Sequence, residues 1–314
     1  MKLGLSTMWG IGRFPTLREF FKEAKQFGFA RFELNHGVTS WMLVGIENLL
    51  DSLTITSIHE PCPADPSVEE LGRQDLLISS LDPGKRKQGI QAVKRSIELA
   101  SRLSVPLVIV HPGRVNVERD FETPLRALYQ EGKGGTEEYQ SLLTRYREER
   151  NQLSAPHLEA VRESLKELSE FASQKGVRLG LENRFYYHEI PTPDELEALL
   201  GDAPAEWVGF WYDVGHGEVL HRLGLIPQTE WLSRFSPFII GVHLHDVKGI
   251  QDHRPAGLGT VDWEAILPKL PPHIVATCEF QSAFSAEEIA SGVQFLTRQF
   301  SRHTVPVRSP HGIP

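Results

Sequence analysis

Cysteine is nearly missing from this chain: Cys62 and Cys278 are the only two among 314 residues. Two thiols make no disulfide framework and no Cys-x-x-Cys pair, which excludes a disulfide-stapled fold and argues against cysteine-ligated zinc. Long apolar runs are missing too. Nowhere do about 18 uninterrupted apolar residues occur, and Met1-Lys-Leu-Gly-Leu-Ser-Thr-Met-Trp-Gly10 has no apolar core of the kind a secretory leader carries. A cytoplasmic chain without a membrane association is therefore expected. The third absence is positive charge: 33 Lys and Arg stand against 41 Asp and Glu, a formal net charge of −8. That leaves no basic footprint, so nucleic acid is not an expected partner. Finally, no Gly-x-Gly-x-x-Gly follows the first apolar run, which counts against a doubly wound dinucleotide-binding sheet.

What the chain does have is alternation. Short apolar, β-branched runs recur at Leu3–Thr7, Ala30–Asn35, Thr54–His59, Pro106–His111, Arg178–Asn183, Val208–Val214, Ile239–His245 and Ile274–Phe280. Helical spacing fills the gaps at Leu17–Phe27, Ile46–Ser52, Lys85–Leu103, Pro156–Lys175, Asp194–Leu200, Trp263–Leu270 and Ala286–Gln299. In the third of these, Ile90, Val93, Ile97 and Ala100 keep a three-to-four spacing that gives one stripe to pack on a sheet. Eight β/α units without a composition break predict an α/β fold, a single (β/α)8 TIM barrel over residues 1–301. Between residues 113 and 156 the connection after the fourth strand is far longer than usual, and it is expected to form a lid over the barrel mouth. Leu71–Pro83 is a smaller loop on the same face, and the proline-rich residues 302–314 are expected to be a disordered tail.

In such a barrel the site lies at the C-terminal ends of the strands. Those ends read Ser57-Ile-His-Glu-Pro61, Val108-Ile-Val-His-Pro-Gly113, Gly180-Leu-Glu-Asn-Arg184, Trp211-Tyr-Asp-Val-Gly-His216, His243 and Thr277-Cys-Glu-Phe-Gln281, and each offers His, Asp or Glu. Any one of them alone reads equally well as a structural ion pair. Six in succession do not, because unpaired buried charges cost several kcal/mol each. Oxygen and nitrogen donors without sulfur suit a divalent ion: zinc, manganese, cobalt, iron or magnesium. Glu182, Asp213, His243 and Glu279 form the core set, able to surround one ion. His59, His111, His216 and His253 form an outer set that would hold one or two more ions, bind substrate or orient the ligands.

Taken together, His-x-Pro after strand three, His-Pro-Gly after strand four, Glu-Asn, Asp-Val-Gly-His, His-x-His-Asp and the run from His253 to Asp262-Trp263 resemble the xylose isomerase-like barrel superfamily. It includes sugar and sugar-phosphate isomerases and epimerases, inosose dehydratases and endonuclease IV, of AP endonuclease family 2. The resemblance covers roughly residues 1 to 300. It implies that Glu182, Asp213, His243 and Glu279 hold one metal as in the epimerase branch, that the two glutamates also move protons, and that His216 and Arg254 bind substrate oxygens. His245 and Lys248, in the same stretch as Arg254, are further substrate-binding candidates. Endonuclease IV holds three zincs, and its additional ligands would fall on His59, His111, His216 and His253. Where it has an aspartate two residues before that last histidine, this chain has Gln251, with Asp252 one place later.

The expected activity is a metal-dependent isomerase or epimerase of a small sugar or sugar phosphate, with Glu182 and Glu279 moving protons through a metal-stabilised enediolate. A sugar dehydratase is a near variant, and a multi-zinc phosphodiester hydrolase is the alternative that His59 and His111 favour. The partner is a small carbohydrate, and a homo-oligomer is left open.

Overall fold

Eight parallel strands close on themselves in the computed structural model, which describes residues 2–303. β1 (Leu3–Ser6), β2 (Arg31–Leu34), β3 (Thr54–His59), β4 (Leu107–Val110), β5 (Arg178–Glu182), β6 (Val208–Asp213) and β7 (Ile239–Leu244) follow in order around the wall. A hairpin of β8 (Asp246–Lys248) and β9 (Gln251–Arg254) intervenes before β10 (Val275–Cys278) fits between β7 and β1. Leu3 pairs with Ala276 and Leu5 with Phe32, which closes the ring without an edge. Every barrel strand falls inside one of the eight runs expected from the sequence.

Helices cover the outside: α1 (Leu17–Gln26), α2 (Val68–Arg73), α3 (Pro83–Arg102), α4 (Glu122–Gln130), α5 (Glu137–Gln174), α6 (Pro193–Asp202), α7 (Val214–Arg222), α8 (Gln228–Phe235), α9 (Trp263–Ile266) and α10 (Ala286–His303). None among the described residues is long and apolar enough to cross a membrane. Helix α3 starts two residues ahead of its apolar pattern because Asp82 accepts from the amides of Gly84 and Lys85 and Pro83 occupies the first turn. Ile46–Ser52 forms a 3-10 helix rather than an α-helix. Helix α10 takes in Arg302 and His303, so the expected tail does not begin at residue 302; residues 304–314 lie outside the described residues.

The largest departure is α5. It begins at Glu137 and runs through Pro156 as one 38-residue helix, not from Pro156 onward. An interior proline removes a hydrogen bond and costs about 3 kcal/mol. A stripe of buried side chains continues on both sides of it, from Tyr139, Leu143 and Tyr146 to Val161, Leu165 and Leu168, and that packing outweighs the loss.

The expected lid is seated on the segment that follows β5. Glu122 of α4 accepts from the Tyr187 amide at 2.7 Å and from the Tyr146 hydroxyl at 2.9 Å. Arg150 of α5 donates to the carbonyls of Tyr187 and Glu189 at 2.7 and 2.9 Å. The Val115 amide donates to the His188 carbonyl, and that of Ile190 to Gly113.

Inside the barrel, Leu107, Ile109 and Trp211 pack with Ile240 and Val275 as an apolar plug. A side chain at Gly241 would run into the Trp211 ring, so that position must be bare. The plug lies below the polar strand ends and gives them a dry floor.

Candidate metal centre

Strand register assembles the site. Asp213 pairs with His243 across β6 and β7, His243 pairs with Thr277 across β7 and β10, and Glu182 pairs with Trp211 across β5 and β6. Alternation turns the functional side chains to the barrel axis. His243 Nδ1 then lies 2.9 Å from Glu182 Oε1, 3.4 Å from Asp213 Oδ2 and 3.3 Å from Glu279 Oε2. One donor atom from each of the four residues falls within 4.8 Å of the others. All four are at most 1% exposed, which is why their charges matter. Asp213 also caps α7, accepting from the His216 amide at 2.7 Å.

A second cluster shares Glu182. His59 Nε2 and His111 Nε2 are 2.5 Å apart, and they lie 3.7 and 3.3 Å from Glu182 Oε2. Glu182 thus presents one oxygen to each cluster. A third gathers His216, His253 and Asp252, with Asp252 Oδ2 3.8 Å from His216 Nε2 and 3.4 Å from His253 Nε2. Gln251 is exposed on the hairpin, and Asp252 is the carboxylate that arrives. His253 has a left-handed φ of 50°, which interrupts the alternation of β9 and lets neighbouring side chains reach the same cluster.

The remaining expected residues are placed differently. His245 is fully buried with both ring nitrogens engaged: Nε2 lies 2.9 Å from Asp213 Oδ1, and Nδ1 accepts from the His253 amide at 2.9 Å. It touches Asp213 from behind and has no nitrogen left to offer a substrate. Lys248 is exposed on the hairpin. The Arg254 guanidinium rests 5.0 Å over the Phe284 ring, and its Nε donates to the Leu258 carbonyl. Neither lines the site cavity.

Four residues of the site escaped the sequence reading. Arg184 donates to Glu182 and, at 3.2 Å, to Glu189. Glu33 and Asn35, on β2 and just beyond it, contact His243 and Glu279. His36 stands 5.0 Å from the His59 ring. The alternation Glu33-Leu34-Asn35 was the available signal, because it puts two polar groups on the inner face of a short strand.

Electrostatics separate the carboxylates. Burial lifts the Glu279 carboxyl to about 8, with the charges of Glu33 and Asp213 adding to it against His243 and His253. Burial would raise Glu182 too, but Arg184, His59 and hydrogen bonds from His111 and His243 hold it well below the usual carboxylate range. Burial, reinforced by His111 and Arg184, pushes His36 down to about 3. Burial likewise depresses His59, so both rings are neutral with nitrogen lone pairs to offer.

These groups fit a divalent ion. Glu33, Glu182, Asp213 and Glu279 are four carboxylates with almost no water. Among the described residues, Arg184 is the only Lys or Arg in an ion pair with any of them. An ion among them would let Glu279 ionise, which burial and the charges of Glu33 and Asp213 otherwise oppose. The donors are oxygen and imidazole nitrogen, and the buried His59 Nδ1 has no hydrogen-bond partner. Above them lies a cavity of about 260 Å³ lined by His36, His111, Arg184, Phe185, His216 and Glu279. A larger groove of about 540 Å³ between α5 and α6 lies on the outer wall and holds none of these groups.

Similar proteins are known by sequence and by structure. An uncharacterized protein of Methanocaldococcus jannaschii is 26% identical over 199 residues, 62% of this chain and 57% of that protein, so the chain spans little more than half of its length. A D-tagatose 3-epimerase-like protein superposes with a TM-score of 0.69 at 19% identity, over 96% of this chain and 98% of that one. An L-ribulose 3-epimerase gives 0.65 at 16% identity over 99% of both chains. The IOLI protein, whose crystal structure has a bound zinc atom, gives 0.65 at 15% identity over 96% of this chain and 99% of that one. These likenesses establish the barrel fold. The family described as xylose isomerase-like TIM barrel matches residues 21–299, and the chain belongs to that family.

Proposed function

We propose that this chain is a divalent-metal-dependent isomerase or epimerase of a small sugar or sugar phosphate. The observation that carries the reading is that Glu182 and Glu279, from strands on either side of β6 and β7, both reach His243 Nδ1, at 2.9 and 3.3 Å. Two carboxylates beside one cluster are what a proton transfer next to a carbonyl requires: one takes the proton and the other returns it. The chemistry a divalent ion supplies when bound is Lewis-acid stabilisation of the negative charge that develops on the substrate.

The chain's own residues set the rest. Arg184 keeps Glu182 ionised, as a base must be. Asn35 Nδ2 donates to Glu279 Oε1 at 3.1 Å, which leaves Oε2 to face the cluster. Phe185 forms part of the cavity wall, with Arg126 of α4 4.2 Å over its ring, so the insertion helps keep water out by holding the mouth in shape. The epimerases among the structural neighbours support the substrate class. Loss of hydroxide from the adjacent carbon would make the same site a dehydratase.

One observation favours a second reading. His59 and His111 converge with Glu182 Oε2, and Asp252 joins His216 and His253. These are places for two further ions, which a proton transfer does not need and which hydrolysis of a small phosphodiester would use.

Metal content per chain, measured by elemental analysis on protein purified without added metal or chelator, separates the two. One ion per chain directs the substrate screen to ketoses and their phosphates. Two or three zincs per chain favour the hydrolase, with bis(p-nitrophenyl) phosphate as the first substrate. No ion at all defeats both.

A further inference from the structure

Strand β2 brings two buried side chains to the centre that neither reading uses as ligand or base. Glu33 and Asn35 are two positions apart on one inner face and are 0% and 2% exposed. Glu33 approaches His243 from the side away from the core cluster: His243 Nε2 lies 3.1 Å from its Oε1 and 3.0 Å from its Oε2. The opposite ring nitrogen, Nδ1, is the one that faces Glu182, Asp213 and Glu279. Ser57, paired with Glu33 across β2 and β3, donates its hydroxyl to Glu33 Oε2 at 2.9 Å. Asn35 repeats the arrangement on Glu279, donating to Oε1 while Oε2 stays turned to the cluster; its own Oδ1 accepts from the Gly37 amide at 3.0 Å.

A neutral imidazole carries its proton on one nitrogen and offers a lone pair at the other, and an ionised carboxylate can only accept. With a cation held at Nδ1 by Glu182, Asp213 and Glu279, the one ring proton belongs on Nε2, and the carboxylate behind Nε2 accepts it and keeps the lone pair on Nδ1. We propose that Glu33, held by Ser57, is a positioning residue that fixes His243 as an Nδ1 ligand for a cation among Glu182, Asp213 and Glu279, with Asn35 orienting Glu279 in the same way. The inference rests on the metal reading of that cluster. It assigns β2 the part of orienting ligands from behind, which distinguishes it from β5, β6, β7 and β10.

A rival geometry makes Glu33 itself a ligand, because Glu33, His59, His243 and Glu279 also bring one donor atom each within 4.8 Å. Cobalt(II) titration of metal-stripped protein by calorimetry separates the two. Glu33→Gln is expected to bind as many ions as the wild type, with a dissociation constant about 10–100-fold higher at the core site. Ser57→Ala should shift it in the same direction by less, and it keeps the question answerable if Glu33→Gln does not fold. Asp213→Ala, which removes the ligand oxygens altogether, should lose an ion outright. In zinc-loaded protein, long-range proton–nitrogen spectra should show His243 protonated at Nε2, with an Nε2–H proton resonance that moves upfield in Glu33→Gln as the bond to the charged carboxylate is lost. Glu33→Gln that binds cobalt as tightly as the wild type overturns the inference, and so does Glu33→Gln that loses a whole ion. A wild type that takes up no cobalt overturns the metal reading and this inference together.

Discussion

His59 and His111 point their Nε2 atoms at each other across 2.5 Å, from the ends of adjacent strands β3 and β4. Two nitrogen lone pairs that close repel unless a proton or a cation lies with them, and Glu182 Oε2 stands 3.3 Å from His111 Nε2 on the same side. His111→Ala should therefore reduce the ions bound per chain by one and leave the core site filled. Gln251→Ala, on the exposed face of the hairpin, should change nothing. Elemental analysis after dialysis reads both; an unchanged count in His111→Ala would mean that the imidazole pair is not a ligand pair.

Glu279→Gln tests the proton-transfer reading. The amide keeps the shape and still accepts from Asn35, but it can no longer take up or deliver a proton. Turnover of an identified ketose substrate should fall by about 10²–10⁴-fold. Solvent-deuterium incorporation at the reacting carbon should fall with it. The ion should be retained at reduced affinity, and retention together with wild-type turnover would remove Glu279 from the mechanism.

The same carboxyl makes stability depend on pH in metal-stripped protein. Glu279 is raised to about 8, so the folded state holds a proton there that the unfolded chain releases near its ordinary value. Above about pH 6.5 the depressed His36, His59 and His216 are neutral in both states, so there the folded state binds more protons than the unfolded one and unfolding free energy declines as pH rises from about 6.5 to about 8. His243 is also raised, by Glu279 and Glu33 against burial, and acts with the same sign. Glu182 and Asp213 are lowered, so their contributions are lost only in acid, outside this window. Thermal melts of chelator-treated protein should show the melting temperature falling over that range. Added zinc should flatten the slope and raise the whole curve, because an ion that binds only the folded state stabilises it by mass action.

How far the site was legible follows from these residues. Glu182, Asp213, His243 and Glu279 could be found because strand periodicity located the strand ends, and a closed barrel brings all strand ends to one rim. For Glu33 the sequence offers only the Glu33-Leu34-Asn35 alternation, which marks an inner face but not what Glu33 meets; register alone sets it behind His243. Lys248 and Arg254 stand in a charged stretch that the sequence presents as an open loop, and the family resemblance adds Arg254 as a substrate-binding residue. Once β8 and β9 pair, Lys248 is turned outward and Arg254 is carried to Phe284. Local propensity makes Pro156 a helix start, and only the stripe of buried residues on both sides of it overrides that preference.

Arg150 gives the insertion a measurable role. Its guanidinium forms a bidentate pair with Glu195, both contacts at 2.7 Å, and its remaining donors reach the Tyr187 and Glu189 carbonyls. The arginine side chain is 1% exposed and the glutamate 8%, so removing one partner strands the other without water. Arg150→Met should cost about 3–5 kcal/mol in denaturant unfolding, whereas Arg150→Met combined with Glu195→Met should recover much of that loss. The double variant still lacks the donors that hold the 184–191 segment, and that segment carries Arg184 to Glu182. Its metal affinity should therefore remain below that of the wild type even where stability returns. If stability and affinity recover together, the insertion supports the fold only; if stability recovers and affinity does not, α5 sets the geometry of the centre through Arg184.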